Sequence, residues 1–140
     1  MKEMWSTPNS PRPAGKIAQV SRNDTFGIAY ISGLIAQKAS GEVVYGATVA
    51  EETRLILENL KQIVTDMGLT MEHVIKTNVF LTNMKDFDEM NAVYGEFFSE
   101  KNPPARQCVE AGVWGGLAVE ISSVVVYDKS DIKQNWEEEA

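Results

Sequence analysis

Two consecutive prolines, Pro103 and Pro104, leading into Ala105-Arg106-Gln107-Cys108-Val109-Glu110, restrict the fold of this chain more than any other segment. Proline has no backbone N–H to donate, and it pushes the residue before it out of the helical region, so no helix runs through this point. The apolar run from Leu117 to Tyr127 reads as a long strand, and Trp114-Gly115-Gly116 between the two segments reads as a turn. The simplest arrangement is a hairpin centred on Trp114. In that register Cys108 faces Glu120, and Arg106 lies one diagonal step away on the same side, because side chains alternate along a strand. A guanidinium, a thiol and a carboxylate then converge.

Taken singly, two of these residues have plain explanations. Arg106 reads as a surface charge and Cys108 as a small buried hydrophobe. Glu120 is harder to dismiss, because it interrupts a run of Leu117, Ala118, Val119, Ile121 and Val124 to Val126. A carboxylate is depleted in such a strand and costly to bury without a partner. Arg106 is the nearest candidate, which leaves a structural salt bridge and a functional pair as competing readings.

The remaining periodicities place this hairpin in a larger frame. Thr48-Val49-Ala50-Glu51 has the form of a capping box, and Thr53, Ile56, Leu57, Leu60, Ile63, Val64 and Met67 recur at helical spacing until Gly68. A second helix is expected from near Asp86, with Phe87, Met90, Tyr94, Phe97 and Phe98 on one face. Phe26 to Gly33 and Val74 to Leu81 read as strands. Both helices then cover one face of a single sheet, and the other face, carrying Arg106, Cys108 and Glu120, is left open. An uncovered sheet face favours association with further copies.

Composition bounds the alternatives. A chain of 140 residues with 44% hydrophobic content suits one domain. Residues 1–14 read as an irregular or disordered arm, 15–128 as the domain, and 129–140 as a polar acidic tail, with Trp5 and Trp136 as candidate anchors of the two ends. A net charge of −7 argues against nucleic acid as a partner, since that affinity rests on Lys and Arg neutralising phosphates. No apolar stretch approaches the roughly 18 residues of a membrane span. With one cysteine and no signal-peptide core, a cytoplasmic setting is expected. The single histidine, His73, sits in an expected turn, so no ordinary catalytic triad or His/Cys zinc site is available. No metal or cofactor is implied.

Several landmarks occur in a specific order: Tyr30-Ile31-Ser32-Gly33, the helix Glu52 to Leu60, the strand Lys76 to Thr82, Asn91-Ala92-Val93-Tyr94, Asn102-Pro103-Pro104-Ala105-Arg106 and Val119-Glu120-Ile121. In this the stretch from Gly15 to Asp128 resembles the RidA/YjgF/L-PSP family. The resemblance implies an α+β, chorismate-mutase-like fold, a mixed sheet with two helices on one face, assembled as a barrel-like homotrimer with small-carboxylate clefts between subunits. It further implies a cofactor-free hydrolase of the 2-iminobutanoate/2-iminopropanoate deaminase type, turning 2-imino acids or enamines such as 2-aminoacrylate into 2-keto acids and ammonia. Arg106 is then expected to bind the substrate carboxylate and Glu120 to assist water attack, with Ser32, Gly33, Asn91 and Cys108 completing the cleft. The alternative within the same family is a non-catalytic trimer that binds a small carboxylate metabolite. Where deaminase members usually read Gly-Pro-Tyr-Ser-Gln, this chain has Gly15-Lys16-Ile17-Ala18-Gln19, which makes that side of the cleft more apolar.

Overall fold

The computed structural model describes residues 1–133, so Trp136 and most of the expected tail lie outside the described residues. Eight regular elements alternate as β1 (Glu3–Trp5), β2 (Val20–Asn23), β3 (Ile28–Leu34), α1 (Val49–Asp66), β4 (Val74–Leu81), α2 (Phe87–Tyr94), β5 (Ala105–Glu110) and β6 (Val119–Val126). The strands form one mixed sheet in the order β1-β2-β3-β6-β4-β5, and both helices pack on the same face of it.

Helix α1 begins and ends where its sequence signals stand. The Thr48 hydroxyl accepts from the Glu51 N–H and the Glu51 carboxylate accepts from the Thr48 N–H, each at 3.1 Å. At the other end Gly68 takes φ 88°, letting the Gly68 and Leu69 N–H groups turn back to the Thr65 and Val64 carbonyls at 2.9 and 2.8 Å. Between these caps Ile56, Leu57, Leu60, Ile63 and Val64 are wholly buried against Ile31, Val79, Leu81, Ile121 and Val125 of the sheet. Helix α2 is shorter than its aromatic stripe suggests. It stops at Tyr94, before Gly95, and Phe98 follows outside it with its ring 4.7 Å from that of Tyr94.

The expected hairpin of β5 and β6 does not form. β5 pairs in parallel with β4 at the edge of the sheet, while β6 runs antiparallel between β3 and β4. The connection from Ala111 to Ala118 spans the end of β4. Leu81 accepts from the Ala111 N–H at 2.9 Å, and the Thr82 N–H donates to Ala118 at 3.0 Å, so β4 is bracketed by both ends of that loop. Burial explains the choice. Val119, Ile121 and Val125 are completely or nearly buried and need a central place, whereas β5 carries Arg106, Gln107 and Glu110 and tolerates an edge.

The N-terminal arm is more ordered than its composition suggests. Glu3–Trp5 adds an edge strand antiparallel to β2, and Trp5 is buried in the core. The proline-rich stretch after it cannot ladder with a neighbour, and Gln19 supplies the missing partners. Its Oε1 accepts from the Thr7 N–H at 2.8 Å, and its Nε2 donates to the carbonyls of Thr7, Ser10 and Pro11. The Thr7 hydroxyl donates to Asp66 of α1 at 2.6 Å.

Candidate functional site

Register across the sheet decides which residues share a face. Cys108 stands beside Val79, and Val79 beside Ile121, so the row that contains Cys108 contains Ile121 and not Glu120. That is one residue away from the centred hairpin register. A one-residue slip moves every side chain of a strand to the opposite face. Arg106 and Cys108 therefore lie on the helix-covered side, in rows with Thr77 and Val79, while Glu120 lies on the open side in a row with Phe80 and Val109. The three residues do not converge within one chain, and no Arg106–Glu120 salt bridge exists. The open face carries Glu120 without Arg106 or Cys108.

Two separate groupings result. On the helix side, the Arg106 Nη1 donates to Asn91 Oδ1 at 2.7 Å. The guanidinium carbon lies 4.6 Å from the centre of the Tyr94 ring and 5.4 Å from that of Phe87. Cys108, two residues further along β5, packs half-buried against the core; burial pushes its thiol pKa up, and nearby Arg106 pulls against that shift. On the open side, Glu120 leans against β3. A Cβ at Gly33 would lie 2.6 Å from Glu120 Oε2 and 2.9 Å from Cδ, so only glycine leaves the carboxyl its present position. Burial raises the Glu120 pKa above the ordinary carboxylate value. Ser32 is beside this pair, but its hydroxyl already donates to the Ala18 carbonyl at 2.6 Å.

Phe87 and Tyr94 were expected only as core, and Glu52 only as a helix residue. Glu52, on α1, is buried and accepts from the N–H groups of Ala118 at 3.0 Å and Val119 at 3.2 Å, which pins the start of β6 just before Glu120. Its pKa is raised, chiefly by burial, with these two backbone donors acting in the opposite sense. A charged residue on the apolar stripe of α1, next to Thr53, was the available signal.

The recess beside Ser32 and Gly33, walled by Pro11, Pro13 and Gln37, measures about 40 Å³, against the roughly 300 Å³ and more of ordinary ligand pockets. A larger hollow of about 490 Å³ between Arg54, Lys61, Glu72 and Phe97 is lined by none of Ser32, Gly33, Asn91, Arg106, Cys108 and Glu120.

Residues 7–127 match the family model described as Endoribonuclease L-PSP. The chain belongs to the RidA/YjgF/L-PSP family. Among relatives of this family, a RutC family protein of Pyrococcus horikoshii is 40% identical over 111 residues, 79% of this chain and 85% of its own length. The 3-aminoacrylate deaminase RutC of Acinetobacter baylyi is 32% identical over 124 residues, 88% of this chain and 96% of that protein. The crystal structure of E. coli TdcF with bound serine superposes with a TM-score of 0.78 at 31% identity, over 90% of this chain and 99% of that one. The mixed sheet with two helices on one face is thus the RidA-family fold. Among the described residues no helix is long and apolar enough to cross a membrane.

Proposed function

We propose that this RidA-family protein is a hydrolytic deaminase of small 2-imino acids and their enamine tautomers. The observation that carries this reading is that a guanidinium and a half-buried carboxyl are both left without an ionic partner among the described residues. A carboxyl whose pKa is raised by burial with no cation beside it is the kind of group found at functional sites. The relative named 3-aminoacrylate deaminase supports the same chemistry. An RNA-cleaving role has less support, since a net charge of −7 opposes binding to a phosphate backbone.

Arg106 and Glu120 reach one substrate only across a subunit boundary, because the sheet separates them within a chain. In the proposed homotrimer, β5 of one copy closes on the open face of the next. Arg106 holds the substrate carboxylate as a rigid two-pronged donor. Glu120, as carboxylate, takes a proton from water as its oxygen bonds to the imine carbon, and returns it to nitrogen. Glu120 then takes the hydroxyl proton of the carbinolamine and passes it to the amino nitrogen, so that the C=O bond forms as the C–N bond breaks and the nitrogen leaves as ammonia. Positioning and one proton relay are sufficient for an imine that already hydrolyses in water. Ile17 and Ala18 replace the family's usual tyrosine and serine, and an apolar wall there favours substrates with small aliphatic side chains.

Light scattering should give about three times the 15.5 kDa mass of one chain. A coupled assay tests the activity: an amino-acid oxidase generates imines from a panel of amino acids, and their hydrolysis is timed with and without the protein. Carboxylate binding without any acceleration across the panel would leave the alternative, a metabolite-binding trimer. Gly33→Ala offers a finer check on the geometry. The new methyl group must displace the flexible end of Glu120 and not the backbone, so the fold should persist while turnover drops on the order of a hundredfold, the usual cost of misplacing a reacting group by about 1 Å. Full turnover in Gly33→Ala would show that the seat of Glu120 is unimportant.

A further inference from the structure

Arg106 is held entirely by uncharged groups. Phe87, Asn91 and Tyr94 stand at i, i+4 and i+7 on α2, one stripe of the helix, and all three meet the guanidinium. Tyr94 is itself tethered: its hydroxyl lies 2.7 Å from Thr77 Oγ1, and Thr77 is the residue paired with Arg106 across β4 and β5. Helix α2, edge strand β5 and its neighbour β4 are thus joined around one cation.

The geometry points to Asn91 and Tyr94 as positioning residues that act through Arg106, and not as groups that touch substrate. The inference rests on the reading of Arg106 as the carboxylate anchor. Asn91 takes only the Nη1 end. The Nε and Nη2 hydrogens, the side-on fork that matches two carboxylate oxygens, have no partner among the described residues. An aspartate at position 91 would hold the guanidinium as firmly but neutralise it; the amide leaves the full positive charge for a ligand. The aromatic rings contribute in the same way, attracting the cation through their faces without consuming a donor. A long, flexible side chain at a sheet edge is thereby set in one orientation before substrate arrives, which reduces the ordering cost of binding.

The test is a double-mutant cycle read by NMR titration with pyruvate, a small 2-keto acid that suffers no reaction. Asn91 is exposed, so Asn91→Ala should leave the assembly mass and melting temperature unchanged while weakening pyruvate binding about tenfold, the scale of one hydrogen bond to a charged group. Tyr94→Phe, which keeps the ring and cuts the tether to Thr77, should weaken it less. In an Arg106→Ala background neither change should have any further effect, because the residue through which they act is gone. Additive losses in that background would overturn the proposal and make Asn91 a direct ligand contact. Unchanged binding in both single variants would also overturn it. The anchor reading fails differently, by Arg106→Ala binding pyruvate like the wild type, and the deaminase reading differently again, by intact coupling without imine hydrolysis.

Discussion

Glu120→Gln should slow imine hydrolysis by about a hundredfold or more while leaving carboxylate affinity nearly unchanged. The amide is almost isosteric and fits the same seat against Gly33, yet it cannot relay a proton. Steady-state kinetics alongside pyruvate titration separates the two effects. The same substitution should stabilise the fold at neutral pH. Burial raises the folded-state pKa of Glu120 above its unfolded value, so the favourable contribution of this carboxyl is complete below the unfolded pKa and is lost as pH rises through the folded one. Glutamine never ionises and escapes that loss. The gain in melting temperature should therefore be present at pH 7 and fade in acid. Wild-type turnover should for its part fall as the pH drops through the raised pKa, since the relay starts from the carboxylate. A glutamine variant that hydrolyses imines at the wild-type rate would remove Glu120 from the mechanism.

Arg106→Ala should abolish most carboxylate binding, at a cost on the order of 2–5 kcal/mol, the range found when one member of a desolvated charge contact is truncated. The protein should still fold and assemble. Arg106 lies on the edge strand, and its neighbours Asn91, Tyr94 and Phe87 are uncharged, so no buried charge is stranded by its removal. Calorimetric titration with pyruvate, together with light scattering, reads both outcomes. A variant that loses its assembly yet binds pyruvate normally would mean that the arginine serves the fold and not the ligand.

Glu120 and Arg106 also show how far a sequence reading reaches. Their chemical character follows from residue type alone: a carboxylate inside a run of valines and isoleucines has to be explained, and an arginine directly after Pro-Pro-Ala sits on a strand that cannot begin as a helix. The caps of α1 at Thr48 and Gly68 and the strand character of Val74 to Leu81 were equally legible, because each depends on residues a few positions apart along the chain, and the family was legible from the order of its short motifs. The stripe Phe87, Asn91, Tyr94 was present too, but its aromatic members read as core, since nothing local indicates that a cation will arrive on them from a strand more than ten residues away.

Strand order and register were decided only by the tertiary structure. Two neighbouring strands with a glycine-containing loop between them specify a hairpin locally. In the folded protein, burial of Val119, Ile121 and Val125 under α1 outweighs that preference and draws β6 to the centre, with β4 inserted between it and β5. The face on which a side chain emerges depends on whether the register is odd or even, and that is settled by hydrogen bonds between segments some forty residues apart, Phe80 with Glu120 and Thr77 with Ser123. The sequence by itself determined which groups are present and which elements carry them. Only the packed sheet decided that Arg106 and Glu120 leave on opposite faces, because no short-range interaction in the chain is sensitive to that parity.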